Sequence, residues 1–93
     1  MIDTASVKHR GLEELIRTGK SKALPAALQE RIRNRLAVLD SLTAIPELPP
    51  GYRAHELKGR RRGIWSIWVS GAWRMTFRFR SETVFDFDLE QYH

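Results

Sequence analysis

A chain of 93 residues makes one domain, residues 1–93, with a thin core, and its 42% hydrophobic and 29% charged content is that of a soluble globular protein rather than a disordered or membrane-embedded one. The lack of cysteine excludes disulfides and thiolate zinc sites; Met1-Ile2-Asp3-Thr4 is no signal peptide, and no apolar run reaches membrane length, so the cytoplasm is the expected location. Lys and Arg outnumber Asp and Glu by 16 to 11, and the net charge of +5 points to a polyanionic partner, nucleic acid or ribosome, with plain solubility charge as the alternative.

In chain order, Gly11-Leu12-Glu13-Glu14-Leu15-Ile16 has apolar residues at helical spacing, and Gly19 is a natural stop. A second helix is predicted from Pro25 onward, with Leu28, Ile32, Leu36 and Leu39 as its apolar stripe. Arg31, Arg33 and Arg35 are assigned to its opposite side. Residues 44–51 hold three prolines, which lack amide donors and cannot continue a helix.

The period then changes to two. Trp65, Ile67 and Val69 alternate with Ile64, Ser66 and Trp68; after the turn at Ser70-Gly71, Trp73, Met75, Phe77 and Phe79 alternate with Arg74, Thr76, Arg78 and Arg80; last, Phe85, Phe87 and Leu89 alternate with Asp86, Asp88 and Glu90. This is the pattern of an antiparallel meander with one apolar face, covered by the two helices, and one polar face. Matching apolar faces across the last hairpin pairs Phe79 with Phe85 and Phe77 with Phe87. It sets Arg78, Thr76 and Arg74 opposite Asp86, Asp88 and Glu90, with Ser81, Glu82 and Thr83 as the connection. Trp68 and Arg74 become neighbours on the polar face, and Tyr92 shares their parity.

Several residues on or near that face can carry chemistry. His55 and Lys58 lie three apart before Gly59. A histidine titrates near neutrality and can exchange a proton, and a lysine can neutralise a phosphate; the plain alternative is a solvated loop. Arg74, on a strand, suits bidentate phosphate recognition and stabilisation of a phosphorane, with a cross-strand ion pair to Glu90 as the alternative. Tyr92 can stack on a base or orient a ribose hydroxyl and His93 can act as acid or base, unless the chain end is a ragged tail. Arg60, Arg61 and Arg62 form a basic loop suited to an RNA backbone, and Trp68 is a large aromatic for partner burial, sheet capping or base stacking. The three histidines lack metal-ligand spacing, and no phosphate-binding glycine loop follows a strand, so no metal or cofactor is expected.

The order of two helices, then His55-Glu56-Leu57-Lys58-Gly59, Trp65-Ser66-Ile67, Trp73-Arg74-Met75-Thr76-Phe77 and the terminal Tyr92-His93 resembles the HigB branch of the RelE/ParE toxin superfamily of bacterial type II toxin–antitoxin modules. The resemblance implies an α+β, RelE-like fold in which two N-terminal helices pack on a curved, mainly antiparallel sheet. It also implies a metal-independent endoribonuclease that cuts messenger RNA in the ribosomal A site. In such enzymes the ribose 2′-hydroxyl attacks the adjacent phosphate, leaving a cyclic phosphate and a 5′-hydroxyl. His55, Lys58, Arg74, Tyr92 and His93 would be the catalytic set, with Arg60, Arg61, Arg62, Trp68, Gln91, Arg31 and Arg35 meeting RNA or ribosome. The expected partners are messenger RNA, ribosomal RNA and a HigA-like helix-turn-helix antitoxin, with no membrane. Gln91 stands where relatives commonly carry an acidic residue, so a base role there must move to a histidine or to Glu90. Two other readings remain: a non-catalytic toxin on the same scaffold, such as a ParE-like gyrase inhibitor, and a plain nucleic-acid-binding domain.

Overall fold

Helix α1 (Arg10–Thr18) begins where His9 Nδ1 accepts the Leu12 amide at 3.2 Å, and ends at Gly19, whose φ of 84° turns the amide back to the Leu15 carbonyl. His9 is thereby a structural cap, and its ring meets Trp73 edge-on at 6.4 Å. Gly11 permits this arrangement, because a Cβ there would lie 3.0 Å from His9 Cε1 and 3.2 Å from Leu24 Cγ. Helix α2 (Ala26–Asp40) follows Pro25, whose fixed φ suits a helix entry. Residues 44–51 form no α-helix and instead fold as 3₁₀ turns at Ile45–Glu47 and Pro50–Tyr52.

This computed structural model describes residues 1–91. Among them, strands β1 (His55–Glu56), β2 (Trp65–Ser70), β3 (Trp73–Arg80) and β4 (Thr83–Gln91) form one antiparallel sheet in the order β1-β2-β3-β4. The expected meander with two helices on its apolar face is what the chain adopts. Leu12, Leu15, Leu28, Ile32 and Leu39 from the helices close on Ile67, Val69, Met75, Phe77, Phe87 and Leu89 from the sheet. Each fully buried apolar side chain contributes about 1.5–3 kcal/mol relative to exposure. Segment 1–9 runs along the outer edge of β4, through a parallel bridge between Ile2 and Val84 and a bond from the Lys8 amide to the Phe87 carbonyl. That pairing covers an otherwise open sheet edge.

The register departs from expectation at one place. Arg74 faces Glu90 and Thr76 faces Asp88 as predicted, but beyond them Arg78 pairs with Phe85, Phe79 with Val84 and Arg80 with Thr83. Asp86 is the extra residue of a bulge: its φ is +53°, and its amide bonds Ser6 Oγ at 3.1 Å rather than β3. The slip reverses parity, so Val84 takes the core position predicted for Phe85, which turns out beside the Arg80 guanidinium. Arg78 and Asp86 still meet through side chains at 3.5 Å. The connection is a two-residue turn, Ser81-Glu82, with both φ positive, not a three-residue one.

Arg35 is a second correction. It is 7% exposed rather than on the free side of α2, because residues 28, 32, 35 and 39 recur at steps of four, three and four and form the buried stripe. Leu36, predicted in that stripe, lies at its half-buried margin. The Arg35 Nε donates to the Trp68 carbonyl at 2.8 Å and its guanidinium lies 4.4 Å over the Tyr52 ring, so it is an internal strut between α2, β2 and the Pro50–Tyr52 turn. Desolvation lowers its pKa, and Tyr52 opposes that effect.

Candidate active site

The polar face of the sheet is built from rows set by the ladder. One row runs His55, Ser66, Thr76, Asp88, and the next runs Trp68, Arg74, Glu90. Ser66 and Thr76 are 1% and 2% exposed, so this face is a packed floor and not a washed surface. The 3₁₀ turn Gly59–Arg61 is tied to it by Arg61, whose two terminal nitrogens both meet the Glu90 carboxylate.

Arg74 projects from the centre of this floor, its side chain 18% exposed, with Nη2 3.3 Å from Glu90 Oε1. The ion pair weighed against a phosphate role is therefore present. It holds the planar guanidinium in a fixed place on the face. Glu90 also accepts the Thr76 hydroxyl at 2.9 Å. Hydrogen bonding from Arg61, then from Thr76 and Arg74, pulls the Glu90 pKa down from 4.5 to about 2 against its partial desolvation. The same contact with Glu90 raises the pKa of Arg61.

His55 stands exposed on β1 with Nδ1 2.9 Å from the Arg53 carbonyl. A carbonyl oxygen only accepts, so Nδ1 carries the proton of the neutral ring and the lone pair lies on Nε2. Lys58 is exposed at the entry to the turn, where Glu56, Leu57, Gly59 and Arg62 line a shallow depression with it. Arg60 and Arg62 are exposed, whereas Arg61 belongs to the Glu90 contact. Trp68 is half-buried: its Nε1 donates to the Gly71 carbonyl at 2.9 Å, and the guanidinium carbons of Arg53 and Arg31 lie 5.0 and 5.8 Å from its ring. These contacts hold the ring between the Gly71 turn and two arginines. Gln91 is exposed and pairs with Trp73, one step out of phase with Arg74 and Glu90.

The ladder thus sets His55, Trp68 and Arg74 on one face, and Lys58 opens the turn anchored there. Tyr92 and His93 lie outside the described residues. Sequence reasoning missed the Glu90 cluster as a unit. The parity of Arg74, Thr76 and Glu90 on facing strands was a usable signal for three members, and nothing local announced Arg61. Among the described residues, no group of His, Cys, Asp or Glu side chains is arranged to hold a metal ion, and no helix is long and apolar enough to cross a membrane.

A family model described as the RelE-like toxin HigB of type II toxin–antitoxin systems matches residues 5–93. The chain belongs to the HigB-like toxin family. It is 42% identical over 89 residues to Endoribonuclease HigB of Proteus vulgaris, covering 95% of this chain and 97% of that one. Among solved structures, YafQ from E. coli strain BL21(DE3) superimposes with a TM-score of 0.65 at 14% identity, covering 98% of this chain and 91% of the other, and a YafQ mutant gives the same TM-score at 15% identity and the same coverage. At that identity the likeness establishes the fold alone, α+β and shared with YafQ. Membership in a type II toxin–antitoxin family makes an antitoxin a partner of HigB-like chains.

Proposed function

We propose that this chain is a toxin that acts as a messenger-RNA endoribonuclease on the translating ribosome and is held inactive by a cognate helix-turn-helix antitoxin in the cytoplasm. The observation that carries this reading is the 42% identity, nearly end to end, with an endoribonuclease. The polar face supports it with groups suited to phosphodiester cleavage.

In the proposed reaction the ribose 2′-hydroxyl attacks the adjacent phosphorus. The P–O5′ bond breaks, a 2′,3′-cyclic phosphate forms, and a proton passes from the 2′-oxygen to the leaving 5′-oxygen by way of enzyme groups. His55 takes the proton, because its Nε2 lone pair is available while Nδ1–H is held by the Arg53 carbonyl. His93 gives a proton to the 5′-oxygen. Arg74, kept in place partly by Glu90, donates to the non-bridging oxygens as charge develops on the phosphorane, and Lys58 adds a second cation from the turn. Tyr92 positions the nucleotide. Arg60, Arg62 and Arg31 attach the toxin to ribosomal RNA, Arg31 with the Trp68 ring beneath it; Gln91, exposed at the end of β4, meets RNA separately, while buried Arg35 is withdrawn from contact.

The test is end chemistry. Purified toxin is added to messenger RNA with and without programmed ribosomes, and the cut ends are probed with kinase and phosphatase. Cyclic phosphate and 5′-hydroxyl ends that appear only with ribosomes are expected. Cleavage of naked RNA at the same rate, or growth arrest with intact messenger and inhibited gyrase supercoiling, would overturn the reading.

A further inference from the structure

Three side chains, Arg74 and Thr76 from β3 and Arg61 from the Gly59–Arg61 turn, converge on one carboxylate. Glu90 Oε1 accepts from Arg61 Nη1 at 2.9 Å and from Arg74 Nη2 at 3.3 Å. Oε2 accepts from Arg61 Nη2 and from the Thr76 hydroxyl at 2.9 Å. Thr76 is 2% exposed, so its hydroxyl is a fixed point of the sheet, and it anchors one oxygen of a carboxylate whose other oxygen bridges two guanidiniums. Two cations this close would repel and splay without the intervening charge. With it, the two guanidiniums are held together, and Asp88, opposite Thr76 on the same face, acts on Arg61 in the same sense.

The connectivity explains what the cluster does. Arg61 closes the turn entered by Lys58, Arg74 lies on β3, and Glu90 is two residues before Tyr92 on β4. A carboxylate joining all three fixes the relative placement of groups that the backbone alone leaves independent. We propose that Glu90 is a positioning residue of this site, orienting Arg74 toward the scissile phosphate and, through Arg61, tying the turn entered by Lys58 to strand β4. The proposal rests on the endoribonuclease reading above. Glu90 itself touches no reacting atom and stays ionised at neutral pH, its pKa held near 2.

The experiment is single-turnover cleavage of messenger RNA on programmed ribosomes by the full chain, with wild type as control. The variants are Glu90→Gln, Arg61→Ala, the double Arg61→Ala/Glu90→Gln, and the near-isosteric Thr76→Val. Misplacing a catalytic group by about 1 Å costs up to about 10²-fold. The saturated rate should therefore fall about 10- to 100-fold in Glu90→Gln and several-fold in Thr76→Val, while the half-saturating ribosome concentration moves less than about threefold. The double variant should be no slower than Glu90→Gln, because both changes break the same link. Should Glu90→Gln not fold, as a melting curve reports, Thr76→Val still has to slow the saturated rate. An unchanged rate, multiplicative effects in the double variant, or loss confined to ribosome affinity would overturn the proposal. So would a faster Glu90→Gln enzyme, which would make the carboxylate a plug on Arg74. A wild-type chain that does not cleave defeats the endoribonuclease reading first, and is thereby told apart from failure of the Glu90 proposal.

Discussion

Replacing Glu90 by Gln should cost stability at neutral pH and lose that cost in acid. The Glu90 carboxyl titrates near 2 in the fold against an ordinary 4.5. At about 1.4 kcal/mol per unit, the difference corresponds to about 3 kcal/mol. The Arg61 side chain is 42% exposed, so water competes for the strongest of its contacts, and about 1–2 kcal/mol is the expected net share. The sign follows from linkage. A carboxyl whose pKa is depressed on folding stabilises fully above its unfolded pKa, near 4.5, and gives that stabilisation up as pH falls toward 2. Glutamine cannot titrate, so the gap between wild type and Glu90→Gln should shrink steadily over that window. Urea unfolding of both proteins, followed by tryptophan fluorescence from pH 7 down to pH 3, measures the gap directly. A gap of the same size at pH 7 and pH 3, or none at pH 7, would refute the idea that the Arg61–Glu90–Arg74 cluster is electrostatically coupled in the fold.

Arg35→Ala should destabilise by about 2–4 kcal/mol, because it removes a buried charged hydrogen bond and the stem packed on Tyr52. Thermal melting should show a drop of at least about 8 °C, whereas exposed Lys22→Ala should stay within about 0.5 kcal/mol of wild type. Replacing Ser81-Glu82 by Asn-Gly should stabilise by about 1–2 kcal/mol, since both positions have positive φ, which costs an ordinary L-residue about that much; denaturant titration reads the gain. Arg60→Ala and Arg62→Ala should each weaken ribosome binding and lower the slope of log affinity against log salt by about 1, with little change in the saturated cleavage rate.

Periodicity alone identified both helices and the β2–β3–β4 meander, because burial selects apolar residues at 3.6- and 2-residue repeats whatever else the chain does. Where the reading failed, a distant contact decided. The Asp86 bulge needs a positive φ that Asp tolerates and a hydroxyl from Ser6, eighty positions away, to take the freed amide. Pairing of segment 1–9 with β4 is invisible locally for the same reason. Arg35 differs, since its phase was legible: 28, 32, 35 and 39 trace the apolar stripe, and only the habit of placing arginine outside concealed it. In the site, parity placed Arg74 opposite Glu90 and beside Trp68 correctly. Recruitment of Arg61 from a loop, which turns that pair into a cluster, has no sequence period to reveal it.

Whether the polar sheet face cleaves messenger RNA on the ribosome is measured most directly by comparing wild type, Arg74→Ala and a chain lacking Tyr92 and His93 in a purified translation system. Cuts within the ribosome-bound codon, absent without ribosomes and reduced at least about 10²-fold in both variants, are the predicted result. Translation arrest without cuts, or cleavage indifferent to either change, would contradict the account and leave this face a binding surface.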